Sequence, residues 1–217
     1  MEPHTVTERR RFAVILVLGP PGSGKGTICN SLARKYNLLH FSVGDNLRAW
    51  MKANSDSPLA STIQDRLNNQ GFLTSAELNP FLNLAINDAM QRGARGIMID
   101  GFPRCEEQLK SWAPWPFQQT LPLLEGDSKP DVVLLLSVAR DTAKTRYVAR
   151  GRDGNDGADK FKRRFAEYVQ EGRVVEEHYR QAGLIVDIDN NGTKEDSLSM
   201  LESTLLRSPL WRSAVVD

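Results

Sequence analysis

The chain has 217 residues, of which 40% are hydrophobic and 25% are charged, and its formal net charge is +1. Such values are typical of a globular protein with one substantial core, and the near-neutral charge gives no general attraction to nucleic acid or to membrane surfaces. No stretch approaches the roughly 20 apolar residues of a membrane span, and the two cysteines cannot build a disulfide scaffold, which favours a reducing compartment.

Residues 1–11 form a polar start that includes three arginines at positions 9–11. These arginines could serve as a targeting or interaction patch, but we favour a solvated tail that precedes one domain of residues 12–217. Because this start contains no apolar signal segment, we expect the protein in the cytoplasm, and a nuclear location is left open.

The first predicted strand, Ala13–Leu18, runs into a glycine-rich turn and then into a helix predicted from Thr27 to Tyr36. Six consecutive apolar residues indicate a strand buried on both faces, as in a parallel sheet. The turn fits most of the phosphate-binding pattern G-x-x-x-x-G-K-[ST], in which backbone N–H groups surround phosphate oxygens and the lysine reaches the outer phosphates. The predicted phosphate-binding residues are Pro21, Gly22, Ser23, Gly24, Lys25, Gly26 and Thr27. The pattern departs from its usual form at Gly26, because the expected hydroxyl follows one residue later, on Thr27.

Two further predicted strands end in polar segments. The strand Leu38–Ser42 leads into a helix that begins near Gly44, and another helix begins at Pro58. A capping box at Thr74 opens a long helix, after which the strand Gly96–Asp100 ends in Asp-Gly-Phe-Pro-Arg. Both polar segments follow the carboxyl ends of predicted strands.

The second half of the chain begins with a proline-rich segment, residues 112–130, which we expect to be a surface connection anchored by Trp112, Trp115 and Phe117. The elements predicted after it are a strand at 132–138, a helix at 141–150, a loop at 151–157, a long charged helix to about 181, a strand at 184–188, a turn at 190–192 and a helix to about 207. Short strands that alternate with helices indicate an α/β fold, with a five-stranded parallel sheet and helices on both faces. Ligands of such folds bind outside the carboxyl ends of the strands.

Three motifs resemble those of the adenylate kinase and UMP/CMP kinase family of nucleoside monophosphate (NMP) kinases. They are the turn G-x-P-G-S-G-K-G-T, the segment S-x-G-D-x-L-R at 42–48 and the segment D-G-F-P-R at 100–104. The resemblance covers the chain from Phe12 to about Leu206 and implies a P-loop NTPase-type fold with an NMP-binding insertion at 42–72 and a short lid at 151–158. It further implies ATP and a nucleoside monophosphate as substrates, Mg²⁺ as cofactor, and a monomer that binds neither nucleic acid nor membranes.

The resemblance also assigns roles to individual residues. Arg48 and Arg104 would hold the acceptor phosphate, and Asp45 and Asp100 would hold magnesium through water. The implied NMP-binding residues are Ser42, Val43, Arg48, Leu73, Gly101, Arg104, Gln108, Arg152 and Arg164. The implied catalytic residues are Lys25, Arg104, Arg150, Arg152 and Arg164, and Arg146, Arg150 and Gly192 would complete the ATP site.

Residues 140–164 carry nine basic and four acidic residues in a chain that is otherwise close to neutral. Arg146 and Arg150 share one helix face because they are four residues apart, and the resemblance places Arg146 on the donor adenine. Arg152 and one of Arg163 or Arg164 would close over the transferring group. The lid is three or four residues shorter than the family pattern, so the choice between Arg163 and Arg164 stays open.

No general base is expected, since an acceptor phosphate is already anionic, and His40 and His178 are predicted to be structural. Two residues favour different acceptor bases: Gln108 resembles the adenylate kinase choice, whereas Val43 cannot form hydrogen bonds and is closer to the alanine of UMP/CMP kinases. We slightly favour AMP over UMP and CMP.

Two other classes of protein compete with an NMP kinase. A nucleotide-binding regulatory protein that has lost catalysis is favoured by Val43, Asn46 and the shortened lid. A hydrolytic switch of the GTPase type requires Ser or Thr directly after Lys25 and a base-reading Asn-Lys-x-Asp, and the chain contains neither.

Overall fold

The computed structural model describes residues 12–68, 71–151 and 157–217. The predicted tail at 1–11 and most of the predicted lid, including Arg152, lie outside the described residues. All five predicted strands are confirmed, and the last two differ from prediction by one residue at their ends. The strands are β1 (Ala13–Leu18), β2 (Leu38–Ser42), β3 (Gly96–Asp100), β4 (Val132–Ser137) and β5 (Ile185–Asp189).

The strands form one parallel sheet in the order β2-β3-β1-β4-β5, which confirms the predicted fold class. Val17 of β1 and Ser42 of β2 are both in register with Asp100 of β3, so three strands end at the same level. The chain continues from the central strand β1 to β2, on one side of β1 in the sheet. The strand β4 pairs with the opposite side of β1. A crevice at the carboxyl ends of β1, β3 and β4 is where ligands of such sheets bind.

Helices connect the strands and cover both faces of the sheet, as predicted. Their bounds are α1 (Lys25–Tyr36), α2 (Val43–Ala53), α3 (Pro58–Asn68), α4 (Ser75–Gln91), α5 (Glu106–Trp112), α6 (Arg140–Arg150), α7 (Ala158–Glu167), α8 (Arg173–Gln181), α9 (Lys194–Arg207) and α10 (Pro209–Trp211). The predicted capping box of α4 is confirmed: the Thr74 hydroxyl accepts from the Glu77 N–H, and the Glu77 carboxylate accepts from the Thr74 N–H.

The long charged helix predicted to end near residue 181 is instead two helices joined by a π-helical segment, Tyr168–Gly172. Gly172 packs against the ring of Tyr168, where a Cβ atom would lie 3.0 Å from Tyr168 Cδ2. The wider hydrogen-bond spacing of a π-helix interrupts the α-helical repeat between α7 and α8.

Alternate residues of β1 face the two sides of the sheet, as a strand requires. Val14 and Leu16 join the core formed with α2–α5 and α8, whereas Ile15 and Val17 join the core formed with α1, α9 and the C-terminal residues. The proline-rich segment is anchored as predicted by three aromatic rings, Trp112, Trp115 and Phe117, which are buried and in mutual contact. No helix in the described part of the chain is both long and apolar enough to cross a membrane.

Candidate active site

The glycine-rich turn lies between β1 and α1, at the carboxyl end of the central strand. Gly22 and Gly24 have φ angles of 80° and 87°, a region in which side chains are strained. A Cβ atom on Gly22 would lie 2.1 Å from the carbonyl oxygen of Ala143, and one on Gly24 would lie 2.4 Å from Asn190 Nδ2. The turn therefore requires glycine both for its backbone conformation and for its close packing. It leads directly into a twelve-residue helix, whose N-terminus carries the partial positive charge that attracts phosphate.

Lys25 folds back over this turn. Its ammonium donates hydrogen bonds to the carbonyl oxygens of Gly19 and Pro20, at 2.8 and 3.0 Å, and to the Ser23 hydroxyl at 3.3 Å. Desolvation at the floor of the cleft, assisted by the nearby arginines, lowers the pKa of Lys25 to about 8, although the Asp100 carboxylate opposes the shift. The ammonium is thus held in place, but the Asp100 carboxylate does not fully offset the cost of desolvating its charge.

Arg104 follows β3 and extends into the cleft. Its Nε donates to the Gly101 carbonyl at 2.7 Å, and its backbone N–H donates to Gln108 Oε1 at 2.8 Å. The guanidinium is surrounded by protein but open to the solvent of the cleft. Desolvation and the neighbouring Arg164 lower the pKa of Arg104, while Asp100 raises it. Two guanidinium groups that repel each other in one cleft form a site for a bound anion.

Gln108 is 2% exposed and joins two parts of the site. Its Nε2 donates to the Leu73 carbonyl at 2.8 Å, while its Oε1 accepts from Arg104. Each amide atom retains capacity for one more hydrogen bond. The side chain therefore positions Arg104 and can also contact a ligand.

The segment after β2 supplies a carboxylate and a guanidinium. Ser42 caps α2 by accepting a hydrogen bond from the Asp45 N–H at 3.4 Å. The Asp45 carboxylate forms an ion pair with Arg48 one turn later. Both side chains line the same cleft as Lys25 and Arg104.

The helix α6 contributes two further arginines. The guanidinium of Arg146 donates to the backbone oxygens of Asn190 and Gly192, at 2.6 and 2.7 Å, which ties α6 to the end of β5. The guanidinium of Arg150 lies over the ring of Tyr147, 4.9 Å from its centre. Both arginines face the cleft.

All these groups meet in one cleft of about 530 Å³. Among its described residues it is lined by seven basic side chains, namely Lys25, Arg48, Arg66, Arg104, Arg146, Arg150 and Arg164. Four carboxylates face them, those of Asp45, Asp100, Glu167 and Glu176. The excess of positive charge matches a polyanionic ligand rather than a neutral one.

Most of the predicted site residues lie in this cleft. They include Pro21 to Thr27, Ser42, Asp45, Arg48, Leu73, Asp100, Gly101, Arg104, Gln108, Arg146, Arg150 and Arg164. The alternatives Arg163 and Arg164 are separated: Arg164 faces the cleft, whereas Arg163 is exposed outside it. Two predicted residues do not line the cleft. Val43 is packed in the core, and Gly192 accepts a hydrogen bond from Arg146 through its carbonyl oxygen. Arg152 lies outside the described residues.

Sequence reasoning missed one wall of the cleft, which is formed by Glu167, Tyr168, Val175 and Glu176. The Tyr168 hydroxyl donates a hydrogen bond to the Glu176 carboxylate. Burial and this hydrogen bond raise the pKa of Tyr168 well above its usual range. The sequence predicts one uniformly charged helix here, whereas Glu167 ends α7, Tyr168 begins the π-helical segment, and Val175 and Glu176 follow it on α8.

Comparison with known proteins extends over most of the chain. The sequence model of the family described as adenylate kinase matches residues 17–184. An adenylate kinase of a Nitratiruptor species is 32% identical over 197 residues, which cover 89% of this chain and 95% of that protein. UMP-CMP kinase 2 of Caenorhabditis elegans is 32% identical over 178 residues, which cover 81% of this chain and 86% of that protein. Adenylate kinase isoenzyme 1 of Caenorhabditis elegans is 28% identical over 195 residues, which cover 88% of this chain and 87% of that protein.

Proposed function

The chain belongs to the adenylate kinase family, and we propose that it is a nucleoside monophosphate kinase. The reaction transfers the γ-phosphate of ATP to a nucleoside monophosphate and yields ADP and a nucleoside diphosphate. The observation that carries this proposal is the convergence of Lys25, Arg48, Arg104, Arg150 and Arg164, from separate elements, on one cleft beside the glycine-rich turn.

The donor and the acceptor would occupy opposite ends of this cleft. The turn and Lys25 hold the outer phosphates of ATP, and Arg146 lies beside its adenine. Arg48 and Arg104 hold the acceptor phosphate, because a guanidinium meets phosphate oxygens in two parallel hydrogen bonds. Arg150 and Arg164, together with Arg152 of the lid, neutralise the charge on the group in transfer.

The protein supplies position and countercharge rather than proton transfer. The acceptor is an anionic phosphate, so no side chain needs to remove a proton from it. We therefore assign no base role to His40, which lies at the cleft wall beside Asp100. Closure of the 42–72 segment and the lid would exclude water, which competes with the acceptor.

Magnesium is implied by the family, and the cleft offers it suitable ligands. The carboxylates of Asp45 and Asp100 and the hydroxyl of Thr27 all line the cleft, and hard oxygen atoms are what Mg²⁺ prefers. We propose that Asp45 and Asp100 hold the ion through its water molecules. When bound, the ion would offset the negative charge of the phosphates during transfer.

For the acceptor we propose AMP. The buried Gln108 amide can donate to adenine N1 and accept from its amino group, and the apolar wall of Ile63, Leu73, Leu78 and Val175 suits a flat base. The residue that favoured UMP or CMP, Val43, is packed in the core and so carries less weight.

A coupled assay of ADP formation with Mg-ATP, run separately with AMP, UMP, CMP and GMP, tests this proposal. We expect the highest kcat/KM with AMP, because a pocket that hydrogen-bonds its base discriminates more strongly than an apolar one. Higher turnover with UMP or CMP would contradict the assignment of Gln108 to adenine. ATP binding without turnover on any acceptor would replace the kinase with the catalytically impaired regulatory protein.

The lowered pKa of Lys25 predicts proton uptake on ATP binding. Near pH 8 about half of the free protein should carry a neutral Lys25, and bound phosphates raise that pKa toward its usual value. We expect ATP binding at pH 8 to take up about half a proton more in the wild type than in Lys25→Met, and the two proteins to agree at pH 6. Calorimetry in two buffers of different ionisation enthalpy measures this uptake, and equal uptake by both proteins at pH 8 would contradict the shift.

A further inference from the structure

Three potential metal ligands from different elements meet beside the cleft. Cys29 lies on α1, His40 on β2 and Asp100 at the end of β3. One ligand atom from each residue lies within 4.8 Å of the other two. Cys29 is fully buried and Asp100 is 8% exposed, so the sheet and α1 hold the group in place.

The imidazole of His40 turns an unpartnered ring nitrogen toward the Asp100 carboxylate. Its Nδ1 lies 3.1 Å from Asn30 Oδ1. Its Nε2 is buried, has no hydrogen-bond partner among the described residues, and lies 3.5 Å from Asp100 Oδ2. A ring nitrogen and a carboxylate oxygen thus face each other across a gap that a cation, either a proton on Nε2 or a metal ion, can occupy.

We propose that Cys29, His40 and Asp100 form a binding site for Zn²⁺. Thiolate, imidazole and carboxylate are the three kinds of ligand that zinc uses in proteins, at about 2.0–2.3 Å. Small side-chain shifts bring the three atoms to those distances. His40 and Asp100 also line the cleft, so the ion enters from there, and a water molecule or a phosphate oxygen completes its tetrahedron.

The sulfur ligand distinguishes this site from the magnesium site. Cys29 presents a buried free thiol to this group. Zinc binding forms the sulfur–metal bond and releases the thiol proton to solvent. Mg²⁺ prefers oxygen ligands and leaves the thiol unchanged.

The site gives zinc a consequence for catalysis that rests on the proposed function. Asp100 is the carboxylate proposed to hold magnesium-bound water, and it cannot serve both ions in the same way. Zinc should therefore inhibit phosphoryl transfer. Excess Mg²⁺ should not reverse this inhibition, because Mg²⁺ does not replace zinc at the Cys29 thiol.

Binding is tested on the full chain with Co²⁺ as a spectroscopic probe of the zinc site. We expect the wild type to bind one Co²⁺ with a sulfur-to-metal charge-transfer band, and stoichiometric Zn²⁺ to abolish that band. Cys29→Ser should lack the band. His40→Gln, at a partly exposed position, should bind at least about tenfold more weakly, as expected for loss of one ligand.

The second cysteine provides a matched control. Cys105 is the N-cap residue of α5 and does not belong to the group of Cys29, His40 and Asp100, so Cys105→Ser should keep the wild-type band and affinity. A band that survives Cys29→Ser, or one that disappears with Cys105→Ser, would overturn the proposal, and so would unchanged affinity in His40→Gln. Circular dichroism of each variant confirms folding. The band does not depend on turnover, so a protein that binds Co²⁺ in this way but lacks kinase activity would refute the proposed function alone.

Discussion

Arg104→Ala should reduce phosphoryl transfer by about 10³-fold, the scale of losing an arginine that stabilises a transferring phosphoryl group. The Gly101 carbonyl holds the guanidinium, and Arg164 is close enough to lower its pKa, so the two arginines face one anion site. ATP binding should stay within about threefold of the wild type, because the turn and Lys25 hold the donor. Steady-state kinetics and ATP titration measure the two effects separately.

The substitution should not unfold the protein. The Arg104 side chain is exposed to the cleft and fills no core position, and the backbone hydrogen bond to Gln108 remains. Arg92→Ala is the matched control, since Arg92 is an exposed arginine paired with Asp88 on α4. Arg104→Lys separates charge from geometry, because lysine keeps the charge but loses the bidentate fork. Activity of Arg104→Ala within about tenfold of the wild type would show that Arg104 has no such role.

The fold could be predicted because a parallel strand buried on both faces has a distinctive composition. The uninterrupted aliphatic residues of β1, together with the glycines after it, identify the central strand and its turn without tertiary information. The motifs after β2 and β3 then fall at one edge of the sheet, since parallel strands share their carboxyl ends. The registers of Ser42 and Val17 with Asp100 are the physical basis of that inference.

The rest of the site depends on packing that local sequence does not encode. Val43 directly follows Ser42, but α2 begins at Val43 and turns it into the core, while Gly44, Asp45 and Arg48 face the cleft. Tyr168 begins a π-helical segment and Glu176 follows it on α8, and both residues line the cleft. Such a segment has no periodic signature, because it changes the helical repeat over only one turn.

The placement of His40 shows the same limit. As a single histidine in a short strand it is predicted to be structural, and the sequence separates it from Cys29 and Asp100. Only the pairing of β2 with β3, and the packing of α1 on the sheet, bring the three side chains together. A metal site assembled from three elements carries no spacing pattern of the kind that identifies zinc motifs in a sequence.

Lys25→Met should lower kcat/KM by about 10³-fold, because in the proposed mechanism the ammonium is the charge that reaches the outer phosphates of ATP. Methionine keeps most of the apolar stem, so the free energy of unfolding at pH 7 should change by no more than about 1 kcal/mol. The loss of three hydrogen bonds to the turn is offset by removal of an ammonium that the site desolvates. A large loss of activity with little loss of stability identifies a functional residue.

The pH dependence of stability tests the same side chain. The folded-state pKa of Lys25 is about 8, below the value of 10.5 in the unfolded chain. Between these values the unfolded state binds more protons, so this residue should make the wild-type free energy of unfolding rise with pH, and Lys25→Met should lack that contribution. Urea unfolding of both proteins at pH 7, 8.5 and 10 measures this contribution.

Lys35→Met is the control from the same helix, because Lys35 is exposed and pairs with Glu202. The activity of this variant should stay within about twofold of the wild type. Parallel pH profiles for wild type and Lys25→Met would show that the ammonium is not desolvated, and the electrostatic argument for its role would then fail.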